Sequence, residues 1–412
     1  MNKISRYSIV IILIVVSAFH IPNFYWKLFG KKIIPPRATY SPISNDFLYN
    51  LYVDRGENKY YDKSGNTYSR REYEMLLPFS FFFDLERWGV LPDTVAGYPM
   101  NISILLHDRQ AYRIKSYEIH NKQIDLYPLF ESESDFSGLE LPAELFRIKE
   151  RMEFIDAATN SIDDSLTSLF TAKLRELEFK FPARIIAGNP TTRKPFDEGY
   201  FVLDSDDNLF QIKKVKGNPK IVKTGVPADL NIHKIFISEN RRKEFYGFIL
   251  THSNELYLIT YDNYRLVKLP YDGYNSDSMS FFFLADPIYR TLRFSGSGHR
   301  EIVVSDSLYN TVASTSVDWI PQKNTTAGKI EKFIFPFTLS TASAHNTYVN
   351  FDIEFNGVHS AFGIIISLVL CILIKYWRRE EILKNWIDLV IVALSGVFGL
   401  IAVSLIKPEK WN

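Results

Sequence analysis

Asp204, Asp206 and Asn208 occupy alternate positions in FVLDSDDNLFQI, residues 201–212. A calcium-binding loop begins with this spacing, and so does a polar turn between two strands. An EF-hand loop needs glycine at its sixth position and a bidentate glutamate at its twelfth. Counted from Asp204, those positions hold Leu209 and Val215, so the turn reading is preferred. His20, His107, His120, His233, His252, His299, His345 and His359 are scattered, with no HExxH or other short ligand pair. Three of them could meet only through the fold. SGSGHRE (295–301) is glycine-rich, but a strand-like EIVVSD follows where a phosphate-cradling loop needs a helix. It reads as a hairpin loop. No GxSxG is present, and Cys371 is the single cysteine, which excludes an internal disulfide and Cys-based zinc sites. The sequence therefore nominates no catalytic residue, no cofactor-binding residue and no metal ligand. The expectation is a non-enzymatic protein without a cofactor.

The elements that carry these residues repeat. FVLDSDDNLFQI aligns without a gap on FILTHSNELYLI (248–259), with apolar ends, a polar middle and Leu-Phe matched by Leu-Tyr. Thr251, Ser253 and Glu255 stand where the first copy has Asp204, Asp206 and Asn208, so the repeat demands a polar turn rather than fixed carboxylates. Weaker copies are ILLHDRQAYRI (104–114) and IVVSDSLYNTV (302–312). Each reads as strand, tight turn and strand, followed by another strand. Residues 234–238 supply a fourth strand to the second copy. Four strands in about 45 residues is the period of a propeller blade. The expected fold is mainly β: a propeller-like domain of four-stranded repeats with a helical insertion, closed by a late strand near 348–355. A pair of β-sandwiches is the alternative. The 15% aromatic content suits strands. YYDKSGNTY (60–68) reads as a hairpin, and Ser69 with Glu72 as a capping box for a short helix ending before Pro78. The insertion, 142–179, shows Leu145, Ile148, Met152 and Ile155, then Leu166, Leu169, Phe170, Leu174 and Leu177, at helical spacing. Two amphipathic helices are expected there, packed on the β domain or serving as a docking arm. FSFFFDLERWG (79–89) is read as core, with an aromatic platform for carbohydrate or lipid as the alternative.

Three apolar segments point to a membrane. They are YSIVIILIVVSAFHI (7–21), VHSAFGIIISLVLCILI (358–374) and WIDLVIVALSGVFGLIAVSLI (386–406). The first is read as an uncleaved signal anchor over 1–29, against a cleaved signal peptide ending at Ala18. Lys375, Arg378, Arg379 and Lys384 between the last two segments, and Lys3 and Arg6 before the first, place both stretches in the cytoplasm. Residues 30–357 then form an extracytoplasmic, periplasmic domain. Residues 358–406 form a hairpin of two spans, and 407–412 a short outer tail. Lys31, Lys32 and Lys407 oppose this orientation. Gly363, Ser367 and Cys371 form one small-residue helix face and Ser395 and Gly399 another, suited to close helix packing on each other or on a membrane partner. No span shows a charge at mid-membrane, which argues against an ion pathway. The net charge of +1 lacks the basic excess that nucleic acid requires.

The span ending in FYWKLF, the segment PPRATYSPISNDF, the block YYDKSGNTYSRREYEMLLPF and the stretch RWGVLPDTVAG resemble an uncharacterised bacterial family. It is a domain of unknown function whose members are encoded beside components of ABC-type transporters. The resemblance is clearest over the first hundred residues. It implies a transporter permease as partner and supplies no catalytic residue. The expectation is an accessory or sensing subunit in the bacterial cytoplasmic membrane. A free-standing membrane-anchored module for extracellular sugar or peptide is the alternative, and an enzyme on a propeller scaffold ranks last.

Overall fold

A computed structural model of the chain describes residues 3–31, 33–54, 56–120, 124–342, 349–381 and 383–407. His345, Tyr348, Lys32 and the tail from 408 lie outside the described residues. The chain divides into two units, Pro36–Val317 and Met1–Pro35 with Asp318–Asn412. Residues 318–357, expected in the β domain, thus belong to the second unit.

The β unit is a series of antiparallel meanders. Sheet I holds Arg37–Ser41, Asp46–Asp54, Glu57–Asp62 and Thr67–Tyr68 in chain order. Sheet II holds Tyr127–Pro128, Glu144–Ile148 and Met152–Asp156. Sheet III holds Ile185–Gly188, Tyr200–Leu203, Leu209–Val215 and Asn218–Lys223. Sheet IV holds Ile232–Ile237, Phe245–Thr251, Leu256–Thr260 and Leu266–Lys268. Sheet V holds Ser280–Ala285, Arg290–Ser295, His299–Ser305 and Thr311–Asp318, with the earlier strand Gln110–Ile114 beside Ser280–Ala285. None of these sheets closes on itself.

The sheets stack because successive side chains on a strand face opposite ways. In Tyr200–Leu203 all four residues are buried. Tyr200 and Val202 join Phe146, Phe154 and Phe210 in a core shared by sheets II and III with the helix Asp164–Glu176. Phe201 and Leu203 join Ile235 and Ile249 in a core shared with sheet IV. Phe248 and Leu258 then meet Phe281 and Phe283 of sheet V. Sheet I touches sheet V through Tyr49, whose hydroxyl lies 2.9 Å from Thr315 Oγ1.

The turn at Asp204 has a structural role. Asp204 is fully buried; its Oδ1 accepts from the amides of Asp206 (2.9 Å) and Asn208 (2.8 Å), and its Oδ2 from the amide of Lys180 (3.1 Å). Thr251 Oγ1 likewise accepts from the amide of Glu255, and Asp306 from the amides of Leu308 and Asn310. The copy at 302–312 is therefore a real hairpin. The copy at 104–114 is not: Ile102–His107 is a helix, capped by Asn101, and only Gln110–Ile114 is a strand. The turn belongs instead to Asp62, which accepts from the amide of Asn66 (3.0 Å).

The insertion differs from its expectation. Residues 144–156 form a hairpin, and only Asp164–Glu176 is helical. Leu145, Ile148, Met152 and Ile155 mimic a helical stripe, but Phe146, Ile148, Met152 and Phe154 alternate inward and Leu145 lies opposite Ile155. Arg147 and Glu153, also opposite, pair at 2.7 Å. The capping box at Ser69 forms, and Phe79, Phe82 and Leu85 of the helix Pro78–Arg87 are buried. The described part of the late strand, Val349–Phe355, pairs with Phe337–Ala342 in the helical unit and with no early strand.

The helical unit contains α1 (Lys3–Phe29), α2 (Thr326–Ile334), α3 (Ala361–Trp377), α4 (Trp386–Ser395) and α5 (Val397–Leu405). Two helical stretches, Ile4–Phe29 and Gly357–Trp377, are long and apolar enough to cross a membrane. The third apolar segment is not one continuous span. It breaks at Gly396, whose φ of 55° and ψ of −128° favour glycine, and α5 folds back along α4. In a straight helix Asp388 and Ile406 would lie about 27 Å apart. Instead both bind the guanidinium of Arg6, at 2.9 and 3.1 Å. The expectation that the chain crosses between 386 and 406 is thereby corrected. The apolar count was right, but one glycine reverses the direction.

Candidate charged cleft

The loops after the first strand of sheets III, IV and V converge with residues 108–110 at one end of the β unit. Lys194 and Asp197, from the loop 189–199, and Glu239, from the loop 238–244, form a buried triad. Lys194 Nζ donates to Asp197 Oδ1 at 2.5 Å and to Glu239 Oε1 at 2.8 Å, and all three side chains are at most 1% exposed. Ser132 Oγ and the Gly199 amide donate to Asp197 Oδ2, and the Glu198 amide donates to Glu239 Oε1. Burial pushes the Glu239 carboxyl above its ordinary range while Lys194 pulls it down; its Oε2 is buried without a partner. Beside it, Glu198 binds Lys213 at 3.0 Å and accepts from Tyr261.

A second knot ties sheets IV and V. Glu244 accepts from Arg242 Nε (2.5 Å), from Arg290 Nε and Nη2 (both 2.9 Å) and from the Tyr309 hydroxyl (2.5 Å). Burial alone would raise the Glu244 pKa; Arg290 and Arg242 overcome it and hold the carboxyl below its usual range. Arg242 also donates to the Asp108 and Asp286 carbonyls, pinning two loops together. These carboxylates are paired with buried cations, so they build a fixed floor under the loops.

Above the triad opens a cleft of about 680 Å³ lined by Arg109, Arg193, Arg241, Glu133, Phe136 and Phe196, among others. The three arginine side chains are exposed and, among the described residues, make no hydrogen bond or ion pair. Guanidiniums on flexible arms over a fixed floor have the geometry and charge that suit anionic groups.

Sequence motifs did not foresee this cleft, whose residues come from four separate loops. They also missed a row of three histidines at residues far apart in sequence. The His233 ring centroid lies 4.6 Å from that of His252 and 6.2 Å from that of His120. Among the described residues, no group of histidine, cysteine and carboxylate side chains could hold a metal ion.

The small residues of the apolar helices divide into different contacts. Gly363 packs on α2, where a Cβ would lie 2.2 Å from the Phe333 carbonyl oxygen. Ser367 donates to the Gly363 carbonyl at 2.7 Å, and Cys371 is buried with Val10, Val392 and Ala402. Gly399 faces Ser395 and Ile391 across the α4–α5 turn. The two small-residue stripes thus serve separate close approaches.

A family described as a domain of unknown function (DUF4857) matches residues 37–305, more than half of the chain. The chain belongs to this family. The matched region covers sheets I to IV and most of sheet V, and it ends before α2. No curated protein and no solved structure matches the chain.

Proposed function

We propose that the protein is a non-enzymatic accessory or sensing subunit of a bacterial membrane complex, held in the cytoplasmic membrane by its helical unit. The observation that carries this reading is the inverted polarity of that unit. Ile11, Val15, Ile365, Val369, Leu373 and Leu394 face outward, each about half exposed or more. The interior holds Arg6, Asp388 and Lys375. A water-soluble bundle reverses this arrangement, whereas a hydrocarbon solvent favours it.

Orientation follows from charge. Arg6, Lys375 and Asp388 meet at one end, and the hairpin brings Ile406, next to Lys407, to that end as well. Lys407 therefore joins Arg378, Arg379 and Lys384 instead of opposing them, and this end is cytoplasmic under the positive-inside rule. The β unit then faces outward. Its serial stack of meanders supports a propeller-like arrangement, and its charged cleft offers contact to a partner or ligand. Partnership with an ABC-type transporter rests on the family resemblance. The three unpaired guanidiniums of the cleft favour, as a second reading, a free-standing module for an anionic extracellular ligand.

Purification in mild detergent separates the two. A permease or ATPase that co-purifies supports the accessory role. A monodisperse single chain with no such partner removes it.

A further inference from the structure

A second cleft, of about 610 Å³, lies elsewhere on the β unit. It opens beside the strand Ile232–Ile237, the turn between the strands Glu144–Ile148 and Met152–Asp156, and the segment 182–186. The charged and titratable groups of its lining are His120, Lys149, Arg184, His233 and Lys234, against Asp125 and the Tyr127 hydroxyl.

The backbone aims two of these side chains together. On a regular strand, residues 233 and 234 would face opposite ways. Here Ile232 lies opposite Thr251 and Lys234 opposite Leu250, so His233 is the extra residue of a bulge. Bulges re-aim side chains and concentrate beside sites. Both His233 and Lys234 line the cleft as a result.

Their charges are not compensated. Lys234 is half-buried and, among the described residues, its ammonium makes no hydrogen bond or ion pair. Burial alone pulls its pKa down. Lys149 is exposed at the mouth and is likewise free. Arg184 is already bonded to Asp207, and His120 Nε2 lies 2.9 Å from Asp277 Oδ1. An amine held half out of water without a counter-charge is costly unless an anion supplies one.

We propose that this cleft binds a phosphoryl group, with Lys234 as its central cation, the His233 ring N–H as a donor and Lys149 at the mouth. Lysine serves phosphate as a point charge with three donors, and a histidine N–H adds direction. The same chemistry is presented by free phosphate and by a phospholipid headgroup. The site does not depend on the accessory-subunit reading.

The test is calorimetric titration of the full chain in neutral detergent with inorganic phosphate and, separately, with a water-soluble short-chain phosphatidic acid. Lys234→Met keeps the apolar stem and removes the charge; a loss of about tenfold or more in affinity is expected, the size of one charge-assisted bond. Lys149→Gln, at an exposed position that leaves folding intact, is expected to weaken binding about threefold. Tighter binding of phosphatidic acid than of phosphate, weakened in both variants, assigns a lipid headgroup; equal binding assigns free phosphate. No binding of either probe, or affinity unchanged in Lys149→Gln and His233→Gln, overturns the proposal even if Lys234→Met fails to fold.

Discussion

Replacing Asp388 by asparagine removes the carboxylate that Arg6 and Lys375 share. Asp388 Oδ1 accepts from Arg6 Nη1 at 2.9 Å, and Oδ2 accepts from Arg6 Nη2 at 2.9 Å and from Lys375 Nζ at 2.7 Å. The three side chains are 0%, 5% and 4% exposed, so water does not screen the loss. Asparagine keeps the shape but removes the charge opposite the guanidinium, which keeps the Ile406 carbonyl and the Tyr7 ring, whose centroid lies 5.0 Å away. Lys375 keeps Glu380 at 3.1 Å. Breaking a buried pair on one side costs about 3–5 kcal/mol. With Lys375 partly compensated, the lower end applies, about 3 kcal/mol. Arg6→Gln leaves Asp388 to Lys375 and is expected to cost less, about 2 kcal/mol by the same scale. Arg6→Leu combined with Asp388→Leu removes both charges and should fall below the Asp388→Asn loss, because an apolar pair needs no solvation. Denaturant unfolding of the full chain in mild detergent, followed by proteolysis of the C-terminal segment, measures all three. Asp388→Asn within about 0.5 kcal/mol of the parent, the size of a surface change, would refute the buried-triad account. So would a double variant as damaged as the sum of its parts.

In a chain with Cys371→Ser and Lys407→Cys, a membrane-impermeant thiol reagent should label residue 407 from the same side as an N-terminal tag; labelling from opposite sides removes the hairpin. Asp204→Ala should cost about 3 kcal/mol, since three backbone amides lose a buried carboxylate, while adding calcium or a chelator should leave the unfolding midpoint of the parent unchanged. His233 is held below its ordinary pKa of 6.5, first by burial and then by His252, His120 and Lys234. The unfolded chain therefore binds that proton more tightly, so stability is full above about pH 6.5 and falls as pH drops through the lowered value. Between about pH 7.5 and 5.5 the parent's midpoint should fall more than that of His233→Gln; equal slopes refute the assignment.

The hairpin repeat was legible because a buried turn needs a particular side chain at a particular place. Asp204, Thr251 and Asp306 all accept amides from two or four residues ahead. Similarity of apolar flanks alone misled at 104–114, where Asn101 caps a helix first. Residues 142–156 misled for a different reason. A two-strand hairpin with a short turn spaces its apolar residues three and four apart, as a helix does, and the opposed Arg147 and Glu153 distinguish the two only once the register is known. The charged clefts were illegible in principle, because each of their residues arrives on a different loop and no local spacing records the meeting.

Hydropathy counts apolar residues and carries no direction, so WIDLVIVALSGVFGLIAVSLI satisfies the length of a span whether it crosses or returns. Two marks in the sequence bear on the difference. Gly396 sits at the centre of the segment, and Lys407 violates the charge rule if the segment crosses. The structure joins them: Gly396 adopts a backbone that other residues resist, and Arg6 binds both Asp388 and the Ile406 carbonyl. A charge-rule violation at the end of an apolar segment with a central glycine is therefore a readable sign of a returning hairpin. The Ile406 carbonyl can meet Arg6, beside the buried Arg6–Asp388–Lys375 triad, only if the far end of the segment comes back to the start of α1.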